Sequence, residues 1–194
     1  MGGMPPDATA TKQRLLQAAV DEFARFGLAG ARVDRIAEAA AANKRSIYVH
    51  FGTKEELFDR VVADGLLQLA EAVRFDATDL PRYAGELWEL LEHRPHVRRL
   101  TLWSSLERPQ PVDAEVEVYR TKVGAVEEAQ AAGAVRADIP APQLLAMVLA
   151  LVISWDTASW SLKALHTGPG AAEQARAGIE AAVAGLVRVP PAAS

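Results

Sequence analysis

Residues 43–46 place four hydrogen-bonding side chains together: Asn43, Lys44, Arg45 and Ser46. Lysine and arginine suit the O6 and N7 atoms of guanine, and asparagine and serine can donate or accept at other base edges. Residues 28–54 hold five basic side chains and two acidic ones, although the whole chain has a formal net charge of −4. The cluster predicts a nucleic-acid-binding surface, whereas each residue taken singly would suit an ordinary solvated helix.

Residues 33–51 have the pattern of two short helices joined by a tight turn, which would position this cluster. Ala37 is a small inward-facing residue of the first helix, Ala41 and Ala42 form the turn, and Ile47 is the buried anchor of the second helix. In a helix-turn-helix the second helix enters the major groove with its N-terminal side chains at the base edges. The pattern therefore predicts that residues 43–46 face the bases.

The residues that follow the cluster carry groups suited to phosphate. Tyr48 and His50 have hydrogen-bonding tips on the second short helix. Thr53 and Lys54 begin a long helix whose free backbone amides form a natural anion site. Glu56 follows Thr53 at the spacing of a capping box, Thr-x-x-Glu. We expect this helix start to lie against the DNA backbone.

The stretch from Thr11 to Leu57 resembles the DNA-binding domain of the TetR (tetracycline repressor-like) family. The family pattern is a first helix ending in phenylalanine and glycine, then a variant of TVxxIAxxAGVSxxxxYxxFxxKEEL; this chain reads ARVDRIAEAAAANKRSIYVHFGTKEEL. The resemblance implies that Tyr48 and Lys54 contact phosphates. It also implies that the groove-facing positions are Lys44, Arg45, Ser46 and His50.

Two positions depart from the family pattern. Ala41 replaces the turn glycine, and a left-handed backbone there would cost on the order of 1 kcal/mol. Arg32 replaces the threonine before the second helix, so a capping hydroxyl is lost and a long-range phosphate contact is expected in its place.

Apolar periodicity and the spacing of the prolines predict an all-α chain of about nine helices, since proline is accepted at the first turn of a helix but not inside it. We expect a helix-turn-helix DNA-binding domain at 8–55, with three short helices followed by a long connecting helix. A ligand-binding and dimerisation domain follows at 56–189, and disordered tails at 1–7 and 190–194. The expected helices are 11–26, 33–40, 44–51, 54–73, 81–93, 96–107, 112–132, 141–166 and 170–188.

The last two expected helices carry apolar stripes with small residues beside them. Small residues allow close helix approach, so we predict that these helices pair with their symmetry mates as the four-helix bundle of a homodimer. An intramolecular helix pair is the alternative. The expected interface residues are Leu151, Trp160, Ile179, Ala182, Val183, Gly185 and Leu186.

Aromatic and polar residues of the second domain are candidates for a small-molecule pocket, since such sites are apolar cavities with a few polar groups. Aromatics at helical spacing are, however, more often plain core. His93 and His96 do not indicate a metal site because Pro95 interrupts the helix and no further ligands adjoin. We expect neither a metal nor another cofactor. The candidate pocket residues are Trp88, His93, Trp103, Glu107, Tyr119, Trp155, Asp156 and Ser159.

Several classes of protein are disfavoured. The chain has no cysteine, which excludes disulfides and thiol nucleophiles. The first twelve residues lack the apolar stretch of a secretory signal, and the apolar run at 144–153 is half the ~20 residues of a membrane span, so we expect a cytoplasmic protein without a membrane partner. No nucleophile elbow, phosphate-cradling glycine loop or HExxH motif is present, which disfavours an enzyme.

The resemblance implies a transcriptional repressor that leaves a near-palindromic DNA operator when a small apolar or aromatic effector binds. Two alternatives remain at this point. The second domain could only dimerise, with no ligand, or the chain could be an α-helical enzyme or interaction module with an incidental helix-turn-helix. Salt-dependent, sequence-specific binding to duplex DNA would distinguish the two DNA-binding regulators, with or without a ligand, from the enzyme or interaction module.

Overall fold

The computed structural model describes residues 8–108 and 110–190, and these residues form helices without any strand. The expected all-α fold is confirmed. The helices are α1 (Ala8–Gly30), α2 (Val33–Ala39), α3 (Lys44–Phe51), α4 (Lys54–Ala72), α5 (Leu80–His93), α6 (Pro95–Glu107), α7 (Asp113–Ala131), α8 (Ala141–Val152), α9 (Ser154–Thr157), α10 (Trp160–Lys163) and α11 (Ala171–Val187).

The first seven helices differ from the expected ones by only a few residues at their ends, but the long helix expected at 141–166 is divided into α8, α9 and α10. Ala158 and Ser159 have extended backbones with ψ near 145° and 148°. The Ser159 hydroxyl accepts a hydrogen bond from the Leu162 N–H at 3.2 Å. Serine thus starts a new turn instead of continuing the old one.

Gly27 ends the regular part of α1, as its position after Phe26 predicts. Its φ of 67° and ψ of −176° are not helical and lie in a region that is essentially restricted to glycine. A Cβ atom at this position would lie 2.9 Å from the Trp103 ring and from the Glu107 carboxylate. The sharp exit from α1 therefore requires glycine.

The chain divides into two compact units that differ from the expected domains. One unit runs to residue 68 and adds residues 94–115; the other contains residues 69–93 and the chain from 116 onward. The first unit includes α6 because α6 packs along α1. The tails expected at 1–7 and 191–194 lie outside the described residues, and residue 190 is in no helix.

In the second unit, α5 packs against α8 and α11. Ile179 and Val183 of α11 are buried there within a single chain. Their place in the dimer interface stays a prediction, and this burial does not favour it, because their own protomer already covers both side chains. In the part of the chain that the structure describes, no helix is long and apolar enough to cross a membrane.

Candidate nucleic-acid interface

The turn between α2 and α3 has the left-handed residue that its sequence suggests. Ala41 has a φ of 48°, and among the residues that the structure describes no other non-glycine residue has a positive φ. The Ala42 N–H donates to the Ala37 carbonyl at 2.9 Å, which closes the turn. The methyl group of Ala41 therefore carries a conformational cost on the order of 1 kcal/mol that glycine would avoid.

A buried carboxylate, which the sequence analysis missed, joins α1 to α2. Glu22 is only 8% exposed. It accepts hydrogen bonds from the Arg32 N–H at 2.8 Å and from Arg35 Nε at 2.9 Å. Arg35 also lies 4.3 Å from the centroid of the Phe26 ring. Glu22 binds the N–H of Arg32 itself, whereas a capping hydroxyl at Arg32 would accept from an N–H inside α2, so α2 has no side-chain N-cap. The sequence signal for Glu22 was an acidic residue on the apolar face of α1.

The N-terminus of α3 presents an exposed polar surface formed by Asn43, Lys44 and Arg45. The side-chain oxygen Oδ1 of Asn43 accepts a hydrogen bond from the Arg45 N–H at 2.8 Å and caps the helix. The amide NH₂ of asparagine is a separate donor, so capping does not use up its hydrogen-bonding capacity. Ser46 is half-buried one position farther on. The predicted cluster is thus brought together, with Ser46 at its inner edge.

Lys44 is paired with an acidic side chain from α2. Its Nζ atom lies 2.8 Å from Asp34 Oδ1, and both side chains are exposed. This hydrogen bond to Asp34 raises the pKa of Lys44 above its ordinary value. An exposed ion pair contributes little to stability. Asp34 therefore orients the Lys44 side chain, and breaking this pair so that Lys44 binds another group costs little free energy.

The remaining residues of α3 differ in exposure. Tyr48 is 50% exposed and Val49 is 69% exposed. His50 is half-buried, with its ring 6.1 Å from that of Phe51 in an edge contact. Val49 was missed because an apolar residue gives no polar signal, yet an exposed valine on this helix can contact the methyl group of thymine.

The start of α4 has the expected capping box. The Thr53 N–H donates to Glu56 Oε2 at 2.7 Å, and the Glu56 N–H donates to the Thr53 hydroxyl at 3.1 Å. The hydrogen bond from the Thr53 N–H, with a smaller contribution from its hydroxyl, lowers the pKa of the Glu56 carboxyl. The beginning of α4 is therefore rigidly defined.

Lys54 has a contact that its family position does not imply. Its Nζ atom donates to the carbonyl oxygens of Leu28 at 2.8 Å and Ala31 at 3.3 Å. Lys54 therefore ties α4 to the end of α1. An ammonium group has three donors, so a third remains for a phosphate.

Known proteins share both parts of this architecture. Residues 15–61 match the model of bacterial regulatory proteins of the tetR family, and residues 79–185 match that of the tetracyclin repressor-like C-terminal domain. The HTH-type transcriptional repressor SCO4008 of Streptomyces coelicolor is 40% identical over 168 residues, which cover 84% of this chain and 87% of the relative. This chain belongs to the TetR family. It is a DNA-binding transcriptional regulator and not an enzyme.

Solved structures agree with this TetR-family assignment. A transcriptional regulator of Streptomyces coelicolor, SCO4942, has a TM-score of 0.80 and 33% identity, with 93% of this chain and 99% of that chain covered. GusR of Salmonella enterica has a TM-score of 0.67 at 21% identity over 95% of this chain and 97% of that one. The second likeness concerns the fold alone.

In this TetR-family regulator, α6 holds the end of α1 through several polar contacts. Arg99 Nε donates to the Ala24 carbonyl at 2.7 Å. The Glu107 carboxylate accepts from the N–H groups of Leu28 and Ala29. The predicted pocket residues Trp103 and Glu107 thus have structural contacts within the first unit, where Trp103 packs against the core.

The other pocket candidates lie in the second unit, and their place in a ligand pocket stays a prediction. Trp88 is buried in the second unit. The His93 ring donates to the Glu89 carbonyl at 2.8 Å, and Ser159 caps α10. Trp155 lines a small cleft of the second unit, described below. Tyr119 and Asp156 are half-buried and stay predictions.

A basic and aromatic cluster in the second unit was not anticipated. Lys122 Nζ donates to the Tyr83 hydroxyl at 2.7 Å and lies 5.4 Å from the centroid of the Phe75 ring. Burial lowers the pKa of Lys122 and raises that of Tyr83. The sequence offered only an isolated lysine, because the residues that surround it come from distant positions.

Proposed function

We propose that this TetR-family protein is a homodimeric repressor that binds a near-palindromic operator through two copies of α3. A small apolar or aromatic effector that binds the C-terminal domain releases it from DNA. The observation that carries the proposal is the exposed, capped N-terminus of α3 with Asn43, Lys44 and Arg45. Repression is supported by the relatives, since SCO4008 is named a transcriptional repressor.

The DNA contacts we propose follow from exposure and chemistry. Lys44 and Arg45 read guanine edges, and Asn43 and Ser46 supplement them. Phosphate contacts position the protein on DNA without reading the base sequence. The residues proposed to contact or approach phosphates are Arg32, Tyr48, His50, Thr53 and Lys54. Lys44 can read a guanine edge while it is paired with Asp34, because an ammonium group has three donors and Asp34 does not use all of them.

The dimer interface we propose lies on the outer faces of α8 and α11. The exposed residues of α8 include Ala146, Met147 and Ala150, and α8 carries no charged residue. On α11, a Cβ atom at Gly178 or Gly185 would meet open space. Small, uncharged faces allow two helices from each chain to approach closely. Of the residues expected at the interface, Leu151, Trp160, Ala182, Gly185 and Leu186 are at least partly exposed.

Release of the protein from DNA by an effector is proposed because the chain belongs to the TetR family. The alternative is a dimeric regulator that responds to no small molecule. Thermal-shift screening with apolar and aromatic metabolites distinguishes the two. A compound that raises the unfolding temperature and weakens operator binding supports release. If no compound in a broad panel does both, the regulator without a ligand is the better account.

Operator selection from random duplexes, followed by the Arg45→Ala variant, tests the DNA-binding proposal. Loss of a bidentate base contact is expected to cost about 5- to 150-fold in affinity for the best operator and to relax preference at one position in each half-site. Arg120→Ala, an exposed arginine of α7, is the matched control and should bind normally. Unchanged preferences in Arg45→Ala would place sequence reading elsewhere.

A further inference from the structure

Residues 158–165, between α9 and the start of α11, expose large apolar side chains. Trp160 and Leu165 are each 84% exposed, and Leu162 is half exposed. Scattered exposed apolar residues are normal on soluble proteins, but several in one short segment mark an interaction site. We call residues 158–165 the arm.

The arm is ordered by its own contacts. At its base the rings of Trp155 and His166 stack with centroids 4.7 Å apart and planes 14° apart. Lys163 Nζ donates to the Asp156 carbonyl at 3.1 Å and lies 4.6 Å from the centroid of the Trp160 ring. A segment that is already ordered loses little conformational entropy when it binds.

A cleft adjoins the base of the arm. Its volume is about 180 Å³, and its lining includes Leu151, Trp155, His166, Gly178 and Ala182. Small-molecule sites usually occupy roughly 300–1,000 Å³, so the cleft is too small for an ordinary effector. Its apolar and aromatic walls instead suit one large side chain.

We propose that the cleft receives Trp160 from the arm of a second copy of this chain, and that the two copies exchange arms reciprocally. The proposal rests on the homodimer proposed above. In a two-fold symmetric dimer, each contact between two different surfaces occurs twice, once in each direction. Reciprocal exchange therefore requires that every chain carries both an arm and a cleft, and this chain carries both. The cleft lies between α8 and α11, whose exposed faces form the proposed dimer interface, and is therefore continuous with it.

Sedimentation velocity over a dilution series tests the arm. A buried tryptophan at an interface commonly contributes 30-fold or more in affinity, so Trp160→Ser, which removes two symmetric contacts, is expected to raise the dimer dissociation constant on the order of 1,000-fold. Leu106→Ser removes an apolar side chain of similar exposure, 76%, from α6 and should dimerise normally. Circular dichroism verifies that both variants keep their helices.

A mixing experiment distinguishes a specific contact from general apolar association. Ser154→Phe, at a cleft-lining residue outside α8 and α11, is expected to fill the cleft while keeping the arm, and Trp160→Ser keeps an open cleft. Mixed together, the two variants can form a heterodimer with one intact arm contact, which should be tighter than either variant's homodimer. A mixture that is no tighter than the variants alone would overturn the proposal.

Other outcomes have separate meanings. If Trp160→Ser dimerises and binds operator like the wild type, the proposed arm exchange is overturned, whereas the proposed homodimer is retained. A wild-type protein that is monomeric overturns the homodimer itself. If the Trp160→Ser dimer is normal and free indole raises the unfolding temperature of the wild type but not of Ser154→Phe, the cleft is a small-ligand site and the arm exchange is overturned.

Discussion

At the scale of single residues, Lys54 combines a contact within the fold with a proposed contact to DNA. Because its ammonium group binds the carbonyl oxygens of Leu28 and Ala31, Lys54→Ala is expected to lower the unfolding temperature. If Lys54 also contacts a phosphate, the slope of log affinity against log salt becomes shallower by about one unit. A lower unfolding temperature with an unchanged slope would leave Lys54 with the structural role alone.

Val49 offers a test of base reading by an apolar side chain. If its exposed methyl groups contact the C5 methyl of a thymine, replacing that thymine by deoxyuridine should weaken wild-type binding about fourfold, the effect of one buried methyl group. Val49→Ala should bind both duplexes equally. Val116→Ala, a change at a partly exposed valine of α7, should remain sensitive to the replacement. Equal wild-type binding at every thymine position would exclude the contact.

At the scale of helices, the exit from α1 depends on Gly27. Gly27→Ala places a methyl group in a conformation that costs about 1 to 2 kcal/mol and against the Trp103 ring, where overpacking adds about 1 to 3 kcal/mol. Gly133→Ala is the matched control: Gly133 also has a positive φ, of 71°, but its Cβ would meet nothing within 4 Å. Urea unfolding should therefore show a larger loss for Gly27→Ala. Equal losses would mean that Trp103 moves aside freely.

Local patterns predicted most helices, the turn at Ala41 and the capping box at Thr53, because each depends on residues within a few positions of one another. The pairing of Glu22 with Arg35 and of Lys122 with Tyr83 was not predictable, since these partners meet only through tertiary packing. The burial of Val183 within its own chain was unpredictable for a related reason. An apolar stripe shows which face of a helix is buried, but not whether the helix that covers it belongs to the same chain.

At the scale of the whole molecule, the proposed homodimer must hold its two copies of α3 about 34 to 36 Å apart, or a multiple of a helical turn of DNA apart, to occupy two half-sites. Gly185→Glu is expected to place a charge in the proposed α8 and α11 interface and its symmetry mate. The variant should sediment as a monomer, keep its helical circular dichroism and lose operator binding far more than nonspecific binding.

Two further variants serve as controls for the Gly185→Glu experiment. Gly185→Ala keeps a small uncharged surface and should remain dimeric. Val183→Glu is expected to unfold the protomer instead, because Val183 is fully buried within one chain. A Gly185→Glu protein that sediments as a dimer and binds operator normally would move the interface to another face.

The exposed indole of Trp160 also gives the protein an optical signal of its own. Trp88 is buried, Trp103 packs against a core, and Trp155 is half-buried with its ring stacked on that of His166, so their emission should respond less to iodide in the surrounding water than that of Trp160. Trp160, 84% exposed in the single chain, should be quenched readily. If assembly covers this ring, quenching should increase as the protein is diluted. Dissociation of the unlabelled wild-type dimer after dilution could then be followed in real time.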